Sequence, residues 1–130
     1  MVKRWQRILI VVAIVIVVIF AGSYMYLKNN LENLVSMEVE DIEINQLKDG
    51  LYIGEYSVLP VSVTVEVKIS NGRIQDINIL DHGNGMGQPA EVITERVIDA
   101  QSLQVDSISG ATYSSRVIIK AIENGLNKAK

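Results

Sequence analysis

The sequence predicts an α+β fold, a small antiparallel sheet with helices packed on it, preceded by one transmembrane helix. Three observations carry this. The first is an apolar run from Ile8 to Leu27. The second is a strict alternation of apolar and polar residues from Val61 to Ser70 that ends on Asn71-Gly72. The third is an apolar stripe at helical spacing from Val117 to Ala129. A period of two residues belongs to a strand with one buried face, and a period of 3.6 to a helix with one apolar side.

No polar side chain interrupts Ile8 to Gly22, and Tyr24 to Leu27 extend the run past Ser23. At a rise of about 1.5 Å per residue, residues 8–27 match a hydrocarbon core roughly 30 Å thick. Lys3, Arg4 and Arg7 precede the run while Lys28 alone lies close behind it, so the positive-inside rule leaves 1–7 as a cytoplasmic basic segment. Everything after Leu27 is then expected outside the cytoplasm, on a single-pass cell-membrane protein. Trp5, Tyr24 and Tyr26 suit the two interfacial aromatic belts. A cleaved signal peptide shares the basic start and apolar middle, but Ala21-Gly22-Ser23 is a poor cleavage pattern and the run is long for one. Either way the remaining domain is exported.

The chain has 130 residues, 48% of them apolar, which excludes a disordered protein and leaves room for one domain plus an appendage. It has no Cys, which excludes disulfides and thiolate metal chemistry, and its single His, His82, gives a metal site little to use. Three of the twelve Lys and Arg residues lie ahead of the span, so nine remain against fifteen Asp and Glu, a balance of −6. An acidic exported domain is a poor partner for nucleic acid.

Beyond the span, Leu27, Leu31, Leu34 and Val35 keep helical spacing, so residues 28–47 are expected to start as a helical stalk that lies along the membrane or pairs with a second copy as a homodimer. Glu38, Glu40, Asp41 and Glu43 then read as a solvated linker. The domain, 48–130, is expected to open at the turn Lys48-Asp49-Gly50, with a first strand from Leu51 to Val58 and Pro60 before the second. Val61, Val63, Val65, Val67 and Ile69 alternate with polar residues. Asn71-Gly72 supplies the positive φ angles of a type I′ turn, so residues 73–80 should pair back. Ile74 is out of phase with Ile77 and Ile79, which predicts a bulge between them. A glycine-rich loop is expected over Asp81 to Gln88, then a helix over Ala90 to Ala100 that opens at Pro89. The last helix starts at Thr112.

Small and hydroxyl residues gather just before that helix, in Ser107-Ile108-Ser109-Gly110-Ala111-Thr112-Tyr113-Ser114-Ser115. The first N–H groups of a helix lack intrahelical acceptors and carry the positive end of its dipole, so a phosphate is well received there. Gly110 and Ala111 allow close approach, and Ser114 and Ser115 offer further hydroxyls. An ordinary capped helix start uses the same residue types.

The segment Asp106-Ser107-Ile108-Ser109-Gly110-Ala111-Thr112 resembles the D-x-x-[ST]-G-A-T flavinylation motif of the FMN-binding domain family. That family includes the flavin-carrying C subunit of the sodium-pumping NADH:quinone reductase and the G subunit of the Rnf complex. Asp49-Gly50-Leu51-Tyr52-Ile53-Gly54, the Asn71-Gly72-Arg73-Ile74 hairpin and Asp81-His82 extend the likeness over roughly Lys48 to Lys130. The resemblance implies FMN as cofactor, joined through a phosphoester to Thr112 by an extracytoplasmic flavin transferase that uses FAD and magnesium. It gives Asp106 a role in recognition by that transferase, and Ser109, Gly110 and Ala111 the task of shaping the turn around the phosphate.

It also implies that His82 and Gly83 contact the isoalloxazine, although a lone His is as readily a plain loop residue. Tyr113, beside the attachment site, is a better stacking partner for the flavin than Tyr52 or Tyr56, which strands use to fill a core. Arg116 and Lys120 read most simply as a solvated helical face. The expected function is electron transfer between membrane and surface redox partners, with no catalytic residue required of the protein. Two alternatives stand beside it: a non-flavinylated extracytoplasmic binding module of the same fold, and a component of an extracytoplasmic reductase.

Overall fold

A computed structural model describes residues 2–83 and 85–130; Asn84 of the expected glycine-rich loop lies outside the described residues. One helix, α1, runs without a break from Arg4 to Ser36. It is long and apolar enough to cross a membrane, and the side chains of its apolar stretch are uncovered by the rest of the chain.

Three antiparallel strands follow, β1 (Gly50–Val58), β2 (Val61–Ser70) and β3 (Arg73–Gly83), in the order β1-β2-β3. The alternation along β2 is realised in full, since Val61, Val63, Val65, Val67 and Ile69 are all buried. Asn71 and Gly72 adopt φ of 55° and 70°, the two positive angles of the expected turn. The predicted bulge falls at Gln75, between the pairs Ile69↔Ile74 and Lys68↔Asp76.

One face of the sheet is covered by α3 (Thr112–Asn127), whose Val117, Ile118, Ile119, Ala121, Ile122 and Leu126 are buried against it. The helix runs antiparallel to β1 and crosses it at Gly54 and Gly125, where neither element carries a side chain. Lys128 Nζ donates to Ile53 O at 2.5 Å and Asn124 Nδ2 to Glu55 O at 2.8 Å. These two side chains occupy carbonyls on the free edge of β1 and so block strand addition there. At the other edge, Gln101 accepts from Ile74 N–H at 2.8 Å and donates to Ile74 O at 2.9 Å, standing in for a missing strand.

The helix expected over Ala90 to Ala100 is shorter. Residues Gly85–Val92 form a 3₁₀ segment, and α2 spans Ile93–Ala100. Two glycines and Pro89 weaken α-helical propensity in that stretch, and β3 continues through Asp81 and His82 where a loop was expected.

The acidic segment after α1 is packed against the domain. Ile42, Ile44 and Leu47 are buried, and Leu34 of α1 is 1% exposed. The reason lies on α3, where Arg116 and Lys120 are half-buried and not a solvated face. Arg116 donates to Met37 O, Lys120 pairs with Glu123 at 2.8 Å, and Glu123 accepts from Glu40 N–H at 3.1 Å. At the surface, Lys130 Nζ lies 2.5 Å from Glu40, and this hydrogen bond holds the Glu40 carboxyl below its ordinary value of 4.5.

A carboxyl with a lowered folded-state pKa stabilises fully above its ordinary value, and the contribution is lost as pH falls through the lowered one. Glu40→Gln is therefore expected to be slightly less stable than the wild type near pH 7 and to converge with it as pH falls, which flattens the acid limb of stability against pH. Urea unfolding between pH 3 and pH 7 checks this.

Candidate functional site

The site is built where the motif segment meets α3. Ile108, Ser109, Gly110 and Ala111 form a tight turn closed by Ala111 N–H to Ile108 O at 2.9 Å. Gly110 takes φ of 79°, the angle a type II turn demands at its third position. A Cβ on Gly110 would meet nothing within 4 Å, so the glycine is needed for its angle and not for room. The open space beside it leaves the turn accessible to a ligand.

Ser115 fixes this turn to the helix. Its hydroxyl donates to Ala111 O at 2.7 Å and accepts from Ile108 N–H at 3.0 Å, and the residue is fully buried. Both of its bonds are internal, so it shapes the turn from behind. Ser114 is also buried. Removal of the Ser115 hydroxyl orphans the Ile108 amide, which costs about 1–3 kcal/mol. Ser115→Ala should lower stability by that amount in urea unfolding.

The helix start itself is uncapped. Ala111 stands at the N-cap with φ −138°, and among the described residues no side chain caps the first turn. Alanine in place of Ser, Asp or Asn there costs about 1 kcal/mol. In return the N–H groups of the first turn stay free for an anion, with the helix dipole behind them. Thr112 is the first helical residue and is exposed, as are Ser109, Gly110 and Tyr113. Asp106 is exposed too, and its backbone carbonyl accepts from Arg96 of α2 at 3.2 Å.

His82 arrives by a different route. A second bulge, at Leu80, separates the pairs Val65↔Ile79 and Thr64↔Asp81. One inserted residue reverses the faces of all that follow. His82 therefore lies opposite Val63 on the helix-covered face, with its side chain only 5% exposed. Its Nδ1 is 3.2 Å from Glu91 Oε1, while its Nε2 is buried and lacks a partner among the described residues. An out-of-phase Leu80 between Ile79 and Asp81 was the sequence signal for this turn inward. Gly83 pairs with Ser62 and closes the strand.

β1 ends near the start of α3, because the two run antiparallel, and β3 ends at that same end of the sheet through Ser62↔Gly83. The phosphate-ready helix start and the His82 imidazole thus share one end of the domain. Tyr56 sits in the same row as Val63 and His82, with its hydroxyl 3.4 Å from Met37 Sδ. Tyr52 lies nearer the other end and is bonded to Lys48 O at 2.9 Å.

The model of a family described as the FMN-binding domain matches residues 60–127, more than half of the chain. The protein belongs to the FMN-binding domain family, and FMN is its cofactor. Among curated proteins, the chain is 30% identical over 119 residues to an NADH:acrylate oxidoreductase of Vibrio harveyi, covering 82% of this chain and 11% of that protein. It is also 30% identical over 86 residues to an uncharacterized protein of Treponema pallidum (strain Nichols), covering 64% of this chain and 24% of that one. The chain thus spans a quarter or less of the length of these relatives. No solved structure matches it significantly.

The residues present fit FMN. First-turn amides without acceptors among the described residues, the open turn at Gly110 and the exposed Thr112 hydroxyl suit its phosphate, and a buried imidazole nitrogen without a partner among the described residues suits a heteroaromatic ring with N–H groups.

Proposed function

We propose that this chain is a membrane-anchored, extracytoplasmic electron carrier whose FMN is attached covalently to Thr112. The observation that carries the reading is the pairing of an exposed threonine at the first position of α3 with an uncapped helix start, behind a turn that Gly110 and Ser115 hold in shape. Residues 48–130 form the flavin domain, 28–47 the stalk, and 8–27 the membrane span.

A flavin transferase would load it. The Thr112 Oγ1 forms a P–O bond to the FMN phosphorus of FAD, the pyrophosphate bond breaks, AMP leaves, and the hydroxyl proton is released. Asp106, exposed six residues ahead, is the recognition element for that enzyme. FMN, once bound, supplies reversible one- and two-electron transfer. The protein's own part is to hold the phosphate at the helix start and to present a hydrogen bond from His82 and Gly83 to the ring, with Tyr113 beside it. Likeness to part of an NADH:acrylate oxidoreductase supports a redox role, in which the carrier passes electrons between membrane and surface partners.

Protease accessibility tests the placement. In bacteria that co-express a flavin transferase, trypsin added to intact spheroplasts should release the fluorescent flavin domain into solution. Protection of the flavin until the membrane is broken would overturn the extracytoplasmic assignment.

A further inference from the structure

The β1–β2 turn reaches back along α1 toward the end of the apolar run. A cavity of about 380 Å³ is lined on one side by Tyr26, Asn30 and Asn33 of α1 and on the other by Ser57, Val58 and Leu59. Tyr26 is the penultimate residue of the apolar stretch, so the tip of the turn faces the part of α1 that adjoins the end of the span.

Two lengths place the tip along α1. From Met37, which Tyr56 and Arg116 both touch, back to Tyr26 is eleven helical residues, or about 16 Å. From Tyr56 to Leu59 is three residues, at most about 10 Å in the same direction, which sets the tip level with Asn30, about one helical turn short of Tyr26 and within reach of its side chain. At the tip, Leu59 is 68% exposed, next to Tyr26 at 66% and Tyr24 at 70%. No charged residue occurs from Tyr56 to Val65. An uncharged turn with an exposed leucine, continuous with a belt of tyrosines, suits the boundary between headgroups and acyl chains.

We propose that the β1–β2 turn is a second membrane contact, in which Leu59 rests in the lipid interface beside α1 and seats the domain with its Thr112 end toward the bilayer. The proposal rests on the reading of α1 as a membrane span. The orientation follows from the fold, since Thr112 lies one turn, about 6 Å, beyond Arg116 on the side of the β1–β2 tip. Arg116 to Met37 and the Glu123 bond to Glu40 hold α3 against the segment that leaves α1.

The absence of cysteine from the chain makes the test direct. Leu59→Cys and Leu51→Cys, the latter exposed at the far end of β1, each accept a single nitroxide label. The full-length chain is reconstituted in vesicles of phosphatidylethanolamine and phosphatidylglycerol. The label at 59 should be more accessible to dissolved oxygen than to a water-soluble nickel chelate, with the reverse at 51. Vesicle-bound protein in which both positions favour the nickel chelate overturns the proposal and leaves the span intact. Protein that does not float with the vesicles overturns the span and the proposal together.

Discussion

Gly54→Ala is expected to remove about 3 kcal/mol or more of stability, a large fraction of the total for a domain this small. A Cβ built on Gly54 overlaps the Ala121 carbonyl oxygen and the Gly125 backbone nitrogen, and lies 2.9 Å from Gly125 Cα. These are backbone atoms in the middle of α3, so no side-chain rotation relieves the overlap. Relief requires the helix to lift from the sheet, which separates Val117, Ala121 and Ile122 from the buried valines of β2. Urea unfolding of the full-length chain in detergent, followed by far-UV circular dichroism, measures the loss. A variant as stable as the wild type would show that α3 does not cross β1 at this glycine.

Thr112→Ala should abolish covalent flavin while leaving the fold untouched. Thr112 is exposed, and among the described residues its hydroxyl makes no hydrogen bond, so the substitution removes an acceptor oxygen and little else. The alanine is also a good first-turn residue. After co-expression with a flavin transferase, wild-type chain should keep its flavin fluorescence through a denaturing gel and the variant should lose it entirely. Unchanged unfolding of the variant excludes misfolding as the cause. Retained fluorescence would move the attachment to another hydroxyl of the segment.

Much of this architecture was legible in the sequence because its signals are local. Alternation in Val61–Ser70, the Asn71-Gly72 turn and the stripe of α3 each encode their element within a few residues, and Ile74 announced its bulge by phase alone. What stayed hidden depends on distant partners. Arg116 and Lys120 look like a solvated face until Met37 and Glu40 are seen beside them, four-score residues away in the chain. Ile42, Ile44 and Leu47 read as linker because acidic neighbours mask their apolar spacing. The 3₁₀ geometry of 85–92 is a compromise among two glycines and a proline that no simple period describes. At the site, the motif marked Thr112 and its turn, but not that Ser115 works from inside the fold or that Glu91 meets His82.

The measurement that tests the central claim most directly is the mass of the tryptic peptide Val97–Arg116 from wild-type chain co-expressed with a flavin transferase. The account predicts a gain equal to FMN less one water, which fragmentation assigns to Thr112. An unmodified peptide, with the transferase active on a control substrate, would contradict covalent attachment and leave FMN held by noncovalent contacts alone.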